Sequence, residues 1–137
     1  MRVFVAASYS SQVDYETGLV HNDYRLELEG ILGRLESFGH EVFCALRADG
    51  YSINDASPAE AFRLDMAEIE RAAGFLAIVG DLPSVGVSTE NGIALALGKS
   101  LVLAHVKDHK LAYFNDALVV AGHAKSVVLP FSEDPFK

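Results

Sequence analysis

Short apolar runs alternate along the chain with segments whose apolar residues recur at helical spacing. Residues 3–7, 75–79 and 101–106 are almost wholly apolar, which is typical of strands buried on both faces. Residues 41–45 and 126–129 predict two further strands. A helical segment separates each strand from the next, so the pattern predicts a five-stranded, mostly parallel sheet with helices on both faces.

Four helices are predicted, and several have recognisable ends. The first ends before Gly39, and its apolar positions are Leu26, Leu28, Ile31, Leu32, Leu35 and Phe38. Ser57 and Pro58 predict the cap and first turn of the second helix, which runs to about residue 73. Its apolar side is predicted to carry Phe62, Met66, Ile69 and Ala73. Residues 89–97 and 114–121 predict the remaining two helices.

Right-handed crossovers between these elements favour a doubly wound, flavodoxin-like (Rossmann-like) arrangement. We predict one such α/β domain over residues 1–137. Ligands of these sheets bind beyond the carboxyl ends of the strands. The segments 8–21, 47–57 and 81–88 are therefore expected to converge on one cleft.

Composition narrows the classes of partner. Half of the residues are hydrophobic and the formal net charge is -8. A nucleic-acid polymer or an anionic membrane requires a basic face, so neither is expected as a partner. Backbone amides can still hold one small phosphate. The single cysteine, Cys44, excludes an internal disulfide, and no apolar run approaches a membrane span, so we expect a cytoplasmic protein.

Residues 80–92 combine glycines and serines with an acid close to a helix start. Their backbone amides, together with the positive end of the helix, are suited to holding a phosphate. Glu90 is predicted to lie in the first turn of the helix at 89–97. Spacing alone leaves two interpretations open, since Glu90 either complements the helix dipole or acts in catalysis.

Three further positions invite a functional interpretation. Asp65 falls within the apolar stripe of its helix, where burial would raise its pKa and favour a general acid. The alternative is an edge position that faces water or pairs with an arginine. Tyr9 follows the first strand and either reaches the cleft or only packs. Arg47 and Tyr51 lie in the second cleft segment and are candidates to contact a base or phosphate.

Several familiar site types are missing from the sequence. The five histidines and one cysteine do not form a metal-ligand pattern. A Gly-x-Ser-x-Gly nucleophile elbow is absent, as is a P-loop before a helix. We therefore expect neither a catalytic metal nor a cofactor.

The pattern resembles the nucleoside 2-deoxyribosyltransferase superfamily over nearly the whole chain. Gly86, Glu90 and Gly92 match the Gly-x-x-x-Glu-x-Gly segment that carries the family's nucleophilic glutamate. Asp65 matches the aspartate on the helix before the third strand. The resemblance implies a retaining N-glycosidase mechanism with Glu90 as nucleophile, Asp65 as proton source and Tyr9 as the residue that orients Glu90.

Position 84 distinguishes branches of the superfamily. Transferases that act on free nucleosides resemble this loop but place an acid six residues before the nucleophile, where this chain has Ser84. A serine tolerates a 5′-phosphate that an aspartate would repel. The chain is in this respect similar to the nucleoside 5′-monophosphate N-glycosidases, the deoxynucleotide and cytidylate hydrolases. Ser8, Ser10, Ser88 and the amides around Gly86 would add phosphate contacts.

The resemblance also implies an oligomeric state, and it leaves two alternatives to the leading function. Asn115 aligns loosely with a residue that family dimers lend to the neighbour's site, which implies a homodimer with a shared active site. Hydrolysis of a nucleoside or deoxynucleoside 5′-monophosphate to base and sugar phosphate is the leading hypothesis. Base exchange on free deoxynucleosides is one alternative, and a non-catalytic nucleotide-binding module is the other.

Overall fold

In the computed structural model, the described residues form seven strands and five helices, and five of those strands make up one parallel sheet. The structure describes residues 1–53, 57–80 and 83–137. Residues 54–56 and 81–82, which belong to two of the predicted cleft segments, lie outside the described residues. In chain order the strands are β1 Arg2–Ala6, β2 Val13–Asp14, β3 Leu19–Val20, β4 Glu41–Phe43, β5 Gly74–Ile78, β6 Ser100–Val106 and β7 Ala124–Leu129. The helices are α1 Asn22–Ser37, α2 Ala45–Ala48, α3 Pro58–Arg71, α4 Val85–Ala96 and α5 Tyr113–Val120.

The main sheet has the strand order β4-β1-β5-β6-β7, and every neighbouring pair is parallel. This order confirms the predicted flavodoxin-like, five-stranded doubly wound sheet. The two short strands β2 and β3 form a separate antiparallel pair. They occupy the segment after β1, which the sequence pattern predicts only as part of the cleft.

Side chains alternate across the sheet and build one apolar layer on each face. Val3, Val5 and Leu76 pack on the α1 side, where Leu28, Leu32 and Leu35 cover them. Phe4, Ala6 and Phe75 point to the opposite face, which Ile69 of α3 and Ala94 of α4 cover. The strands are apolar without interruption because both of their faces are buried. Within the described residues, no helix combines the length and the apolar character needed to cross a bilayer.

The start of α3 confirms the predicted cap. The Ser57 hydroxyl accepts a hydrogen bond from the Glu60 N–H at 3.2 Å, and the Glu60 carboxylate accepts one from the Ser57 N–H at 3.2 Å. Pro58 occupies the first turn, where its missing N–H costs nothing. This capping box fixes the start of the helix that carries Asp65.

The apolar stripe predicted for α3 is wrong at both ends. Phe62 and Ala73 are exposed, and the helix already ends at Arg71. Ile69 is fully buried, and so is most of Glu68, which pairs with Arg2 and Arg71. An ion-paired carboxylate thus takes a core-facing position that hydrophobic periodicity assigns to apolar residues.

Helix α4 begins four residues before the predicted start. Ser84 is its cap and accepts a hydrogen bond from the Val87 N–H at 3.3 Å. Glycine and β-branched residues are weak helix formers, so the segment from Val85 to Val87 reads as a loop in the sequence. Glu90 therefore lies in the second turn of α4, which corrects the predicted position in the first turn.

The segment after β4 also differs from its prediction. The strand ends at Phe43, and residues predicted as its end and as a following loop form the one-turn helix α2. Two backbone bonds, Val20 N–H to the Tyr51 carbonyl at 2.8 Å and Ile53 N–H to the Gly18 carbonyl at 2.7 Å, tie the next residues to the β2–β3 pair. These bonds bring two of the predicted cleft segments together at the carboxyl edge of the sheet.

Candidate active site

Two adjoining clefts lie at the carboxyl edge of the sheet. The smaller, the Glu90 cleft, has a volume of about 370 Å³. Its lining includes Tyr9, Asp49, Asp65 and Glu90. The larger, the outer cleft, has a volume of about 1180 Å³ and lies towards α5. Ser84 lines both, so the two clefts meet at the start of α4.

Glu90 and Asp65 reach the Glu90 cleft from two helices on the same face of the sheet. α3 and α4 pack against each other, and each carboxylate projects from its helix into the space between β1 and α2. Burial raises the pKa of Glu90 to about 8, and the negative charge of Asp65 adds to the effect. Burial also raises the pKa of Asp65 to about 6, with Asp49 adding to it. The structure thus brings the two predicted acids together.

Because the two carboxyl groups interact, they titrate as a pair. With pKa values of about 6 and 8, the pair holds one proton near neutral pH. Glu90 is the more buried of the two and its pKa is raised further, which favours the proton on Glu90. The sequence-based assignment places it on Asp65. A positive charge developing at a bound sugar carbon would favour ionised Glu90 and move the proton towards Asp65.

Tyr9 follows β1 and lines the Glu90 cleft, one of the two positions that the sequence leaves open. Burial raises the pKa of its hydroxyl, and the charge of Asp49 adds to the shift. Among the described residues, no hydrogen bond joins this hydroxyl to Glu90. The role of Tyr9 in orienting Glu90 therefore stays a prediction.

Asp49 is a third acid of the Glu90 cleft that sequence reasoning missed. It caps the end of α2, and its carbonyl accepts a hydrogen bond from the Ser52 hydroxyl at 3.1 Å. Its charge contributes to the raised pKa values of both Asp65 and Tyr9. In the sequence Asp49 precedes a glycine in a polar stretch, where an acid is typical of any exposed turn. Only the folded loop shows that it faces Asp65.

The residues predicted to hold a phosphate are divided between the clefts. Ser8, Ser84 and Ser88 line the outer cleft, whereas Gly86 and Ser10 line the Glu90 cleft. The Ser84 hydroxyl already caps α4, and the Ser8 and Ser11 hydroxyls lie 2.9 Å apart and share a hydrogen bond. The outer cleft beside the start of α4 therefore collects most of the predicted phosphate-binding groups.

Arg47 and Tyr51, the candidates to contact a base or phosphate, bond to residues of α1 instead. The Arg47 guanidinium bonds to the Glu36 carboxylate at 2.6 Å and lies 3.9 Å from that of Glu29. The Tyr51 hydroxyl donates to Glu29 as well. Neither residue lines either cleft. Both fasten the segment after β4 onto α1, which holds Asp49 at the edge of the Glu90 cleft.

Asn115, predicted to serve a neighbour's site, lines the outer cleft of its own chain. It projects from the first turn of α5 and is partly buried. Three side chains that can carry positive charge accompany it in the lining, namely His105, His109 and Lys110. Sequence reasoning missed all three. The two histidines lie at a strand end and in a loop, a spacing that matches no metal motif.

No protein-family model matches the sequence, and no curated protein sequence matches it either. Solved structures do match the chain. The chain is similar to the Clostridium botulinum CMP N-glycosidase BcmB, with 24% identity, a TM-score of 0.69 and coverage of 98% of this chain and 92% of that one. It is also similar to BlsM, with 28% identity, a TM-score of 0.75 and coverage of 95% and 81%.

A 2-deoxyribosyltransferase from Bacillus psychrosaccharolyticus is a third similar structure, with 19% identity and a TM-score of 0.61. That match covers 83% of this chain and 79% of the transferase. All three structures belong to the nucleoside 2-deoxyribosyltransferase-like superfamily. They share the fold of this chain and confirm the resemblance drawn from its sequence.

Proposed function

We propose that the protein is an N-glycosidase that cleaves the bond between base and sugar in a nucleoside 5′-monophosphate. The observation that carries the proposal is the meeting of Glu90 and Asp65 in one cleft, where the pair holds a single proton near neutral pH. A retaining glycosidase needs this combination, because one carboxylate must attack while its neighbour protonates the leaving group.

In the first step, a Glu90 carboxylate oxygen forms a bond to C1′ as the bond from C1′ to the base nitrogen breaks. The departing base takes the electron pair of that bond and receives the proton from Asp65. The products of this step are the free base and a sugar phosphate esterified to Glu90. The partly buried position of Glu90 suits this step, since a carboxylate shielded from water is a better nucleophile.

In the second step, water attacks C1′ and the bond between C1′ and the Glu90 oxygen breaks. Asp65, ionised after the first step, accepts the proton that the water loses. Glu90 leaves as a carboxylate, and the sugar 5-phosphate is released with its original configuration at C1′. Asp65 is then protonated and Glu90 ionised, as at the start of the cycle, and the net reaction consumes one water molecule.

Two features support a phosphorylated substrate. Ser84 stands at the junction of the clefts without a negative charge, and most of the predicted phosphate-binding serines line the outer cleft. BcmB, which shares the fold over 98% of this chain, is named as a CMP N-glycosidase. Because the chain is also similar to a 2-deoxyribosyltransferase, base transfer is the second candidate function.

Product analysis tests the proposal directly. The protein is incubated with CMP, dCMP, GMP, dGMP and the matching nucleosides, with and without an added free base, and the products are separated by chromatography. Free base released from a monophosphate without an acceptor supports the hydrolase. A new nucleoside formed only with an acceptor supports the transferase. Binding without turnover, unchanged in Glu90→Ala, supports a binding module and contradicts the proposal.

Asp65→Asn is expected to lower kcat roughly 10²- to 10⁴-fold on a natural monophosphate, the usual contribution of a general acid. The loss should be much smaller on a ribofuranoside 5-phosphate with p-nitrophenolate as leaving group, because that anion departs without protonation. Release of base and of p-nitrophenolate is followed by absorbance for both variants. An equal loss on both substrates would assign Asp65 a structural role.

The exposed face of α5 supports a homodimer. The helix buries no residue fully, and Tyr113, Phe114 and Val120 are 84%, 78% and 80% exposed. An apolar face of this kind on a helix beside the active site is typical of an association surface. Because Asn115 lies on the same helix, a second copy docked there would complete the outer cleft.

Phe114→Glu is therefore expected to convert a dimeric protein into a monomer, since a charge at the centre of an apolar interface must be desolvated without a partner. Sedimentation velocity over a range of protein concentrations measures the change. Leu26→Glu, which alters an exposed leucine of α1 on the other face of the sheet, is the matched control. A wild-type protein that sediments as a monomer throughout would refute the dimer.

A further inference from the structure

The charges that line the two clefts are segregated. The Glu90 cleft carries Asp49, Asp65 and Glu90, and none of its described lining residues is basic. The outer cleft carries Lys110 and two histidines, against Asp116 as the acid among its described lining residues. A substrate with a phosphate at one end therefore meets three acids on one side and, on the other, a cleft in which Lys110 and two histidines accompany one acid.

The basic side chains stand on one short piece of chain, which we call the 105–110 segment. It begins with the last two residues of β6 and continues into the loop before α5. Asp108 adopts a left-handed backbone with φ of 63°, and the His109 N–H bonds to the Val106 carbonyl at 3.2 Å. This tight turn brings the His109 ring to 5.9 Å from the ring of His105, centroid to centroid.

The hydrogen bonds of the segment leave donors for a ligand. His105 Nδ1 lies 2.9 Å from the Val106 carbonyl oxygen and donates to it. Nε2 of that ring is therefore left to bond a ligand, as a donor when the ring is protonated. Lys110 is exposed, and no ion pair holds it among the described residues. It supplies a positively charged donor at the cleft wall.

We propose that the 105–110 segment forms the cationic wall of a phosphate subsite in the outer cleft, with Lys110 and His105 as its main donors. The inference rests on the proposed function and fixes how the substrate lies. The phosphate dianion contacts this wall and the Ser8, Ser84 and Ser88 hydroxyls across from it. The C1′ carbon then lies at the junction near Ser84, and the base extends past Glu90 towards Asp49.

Charge explains why the opposite orientation is unfavourable. A phosphate placed among Asp49, Asp65 and Glu90 would be repelled by Asp49 and by the negative charge that remains on the Asp65–Glu90 pair, within a cleft of about 370 Å³. A base edge that donates hydrogen bonds, such as an exocyclic amine, suits those carboxylates instead. The ligand class of the outer cleft is thus a sugar 5-phosphate, free or attached to its base.

Lys110→Ala and His105→Gln test the subsite, with Lys107→Ala as the matched control. Lys107 belongs to the same segment and is exposed, but it does not line either cleft. We expect Lys110→Ala to lower kcat/KM for the monophosphate roughly 10- to 100-fold, the usual effect of losing a charged hydrogen bond. The value for the matching nucleoside, and both values in Lys107→Ala, should stay within twofold of wild type, about the scatter of surface changes.

A binding measurement separates this inference from the proposed function. Ribose 5-phosphate and inorganic phosphate are titrated calorimetrically into wild type and each variant. Tighter binding of ribose 5-phosphate by wild type than by Lys110→Ala supports the subsite even if no base is ever released. Equal losses for monophosphate and nucleoside, or equal ribose 5-phosphate affinity in wild type and both variants, would overturn the subsite while leaving the glycosidase proposal standing.

Discussion

Glu90→Gln should abolish base release from a nucleoside 5′-monophosphate, with kcat lowered by about 10³-fold or more. The amide keeps the shape of the side chain but has no charge with which to attack C1′. Product formation under single-turnover conditions measures the loss, and circular dichroism checks that the fold is kept. Glu70→Gln, which changes an exposed glutamate of α3, is the control and should retain wild-type activity.

The stereochemistry of the product tests the same step from another side. In the presence of methanol, an ester of Glu90 with the sugar yields a methyl glycoside that has kept the β configuration at C1′. Nuclear magnetic resonance of the product distinguishes the two anomers. A methyl α-glycoside, or activity retained in Glu90→Gln, would show that water attacks directly and would remove the nucleophile assigned to this protein.

The sheet could be predicted from the sequence because its signal is local. Residues such as Phe75 and Leu76 are buried on opposite faces of the same strand, so an unbroken apolar run marks a central strand. The start of α4 could not be predicted in this way. Its first turn contains a glycine and two valines, and helix formation there depends on the Ser84 cap and on packing of Val87 into the core.

The residues of the candidate site were likewise predictable only in part. Glu90 and Asp65 are recognisable because the family motif preserves their spacing, although spacing does not reveal how strongly each is buried. Asp49 could not be predicted, because its place in the cleft depends on backbone hydrogen bonds between its loop and the β2–β3 pair. These two parts of the chain are distant in sequence. Arg47 illustrates the reverse error, since its partners Glu36 and Glu29 lie on α1 and draw it away from the cleft.

The buried acids also connect the chemistry of the site to the stability of the fold. Transfer of Glu90 from water into the cleft raises its pKa from 4.5 to about 8, which means that the folded state binds this proton more tightly than the unfolded state does. A group of this kind stabilises the fold least when it must be ionised. Glu90, the proposed nucleophile, is therefore expected to destabilise the protein in the ionised state in which it would react.

The sign of the effect gives the final prediction. The folded-state pKa of Glu90 lies above the unfolded-state value, so the free energy of unfolding should fall as pH rises between the two values, 4.5 and about 8. Each unit of pKa difference corresponds to about 1.4 kcal/mol, so the total loss is on the order of a few kcal/mol. Asp65, with its pKa raised to about 6, contributes in the same direction over the lower part of that window.

Thermal unfolding at about pH 5, 6.5, 8 and 9 measures this loss, with wild type, Glu90→Gln and Glu70→Gln compared in the same buffers. Wild type and Glu70→Gln should lose Tm in parallel as pH rises. Glu90→Gln should lose much less and unfold at a higher temperature than wild type above about pH 8, since its amide cannot be forced to ionise. A Glu90→Gln variant that follows the wild-type slope would mean that Glu90 is solvated in the folded protein, and a solvated Glu90 would not have the raised pKa on which its pairing with Asp65 depends.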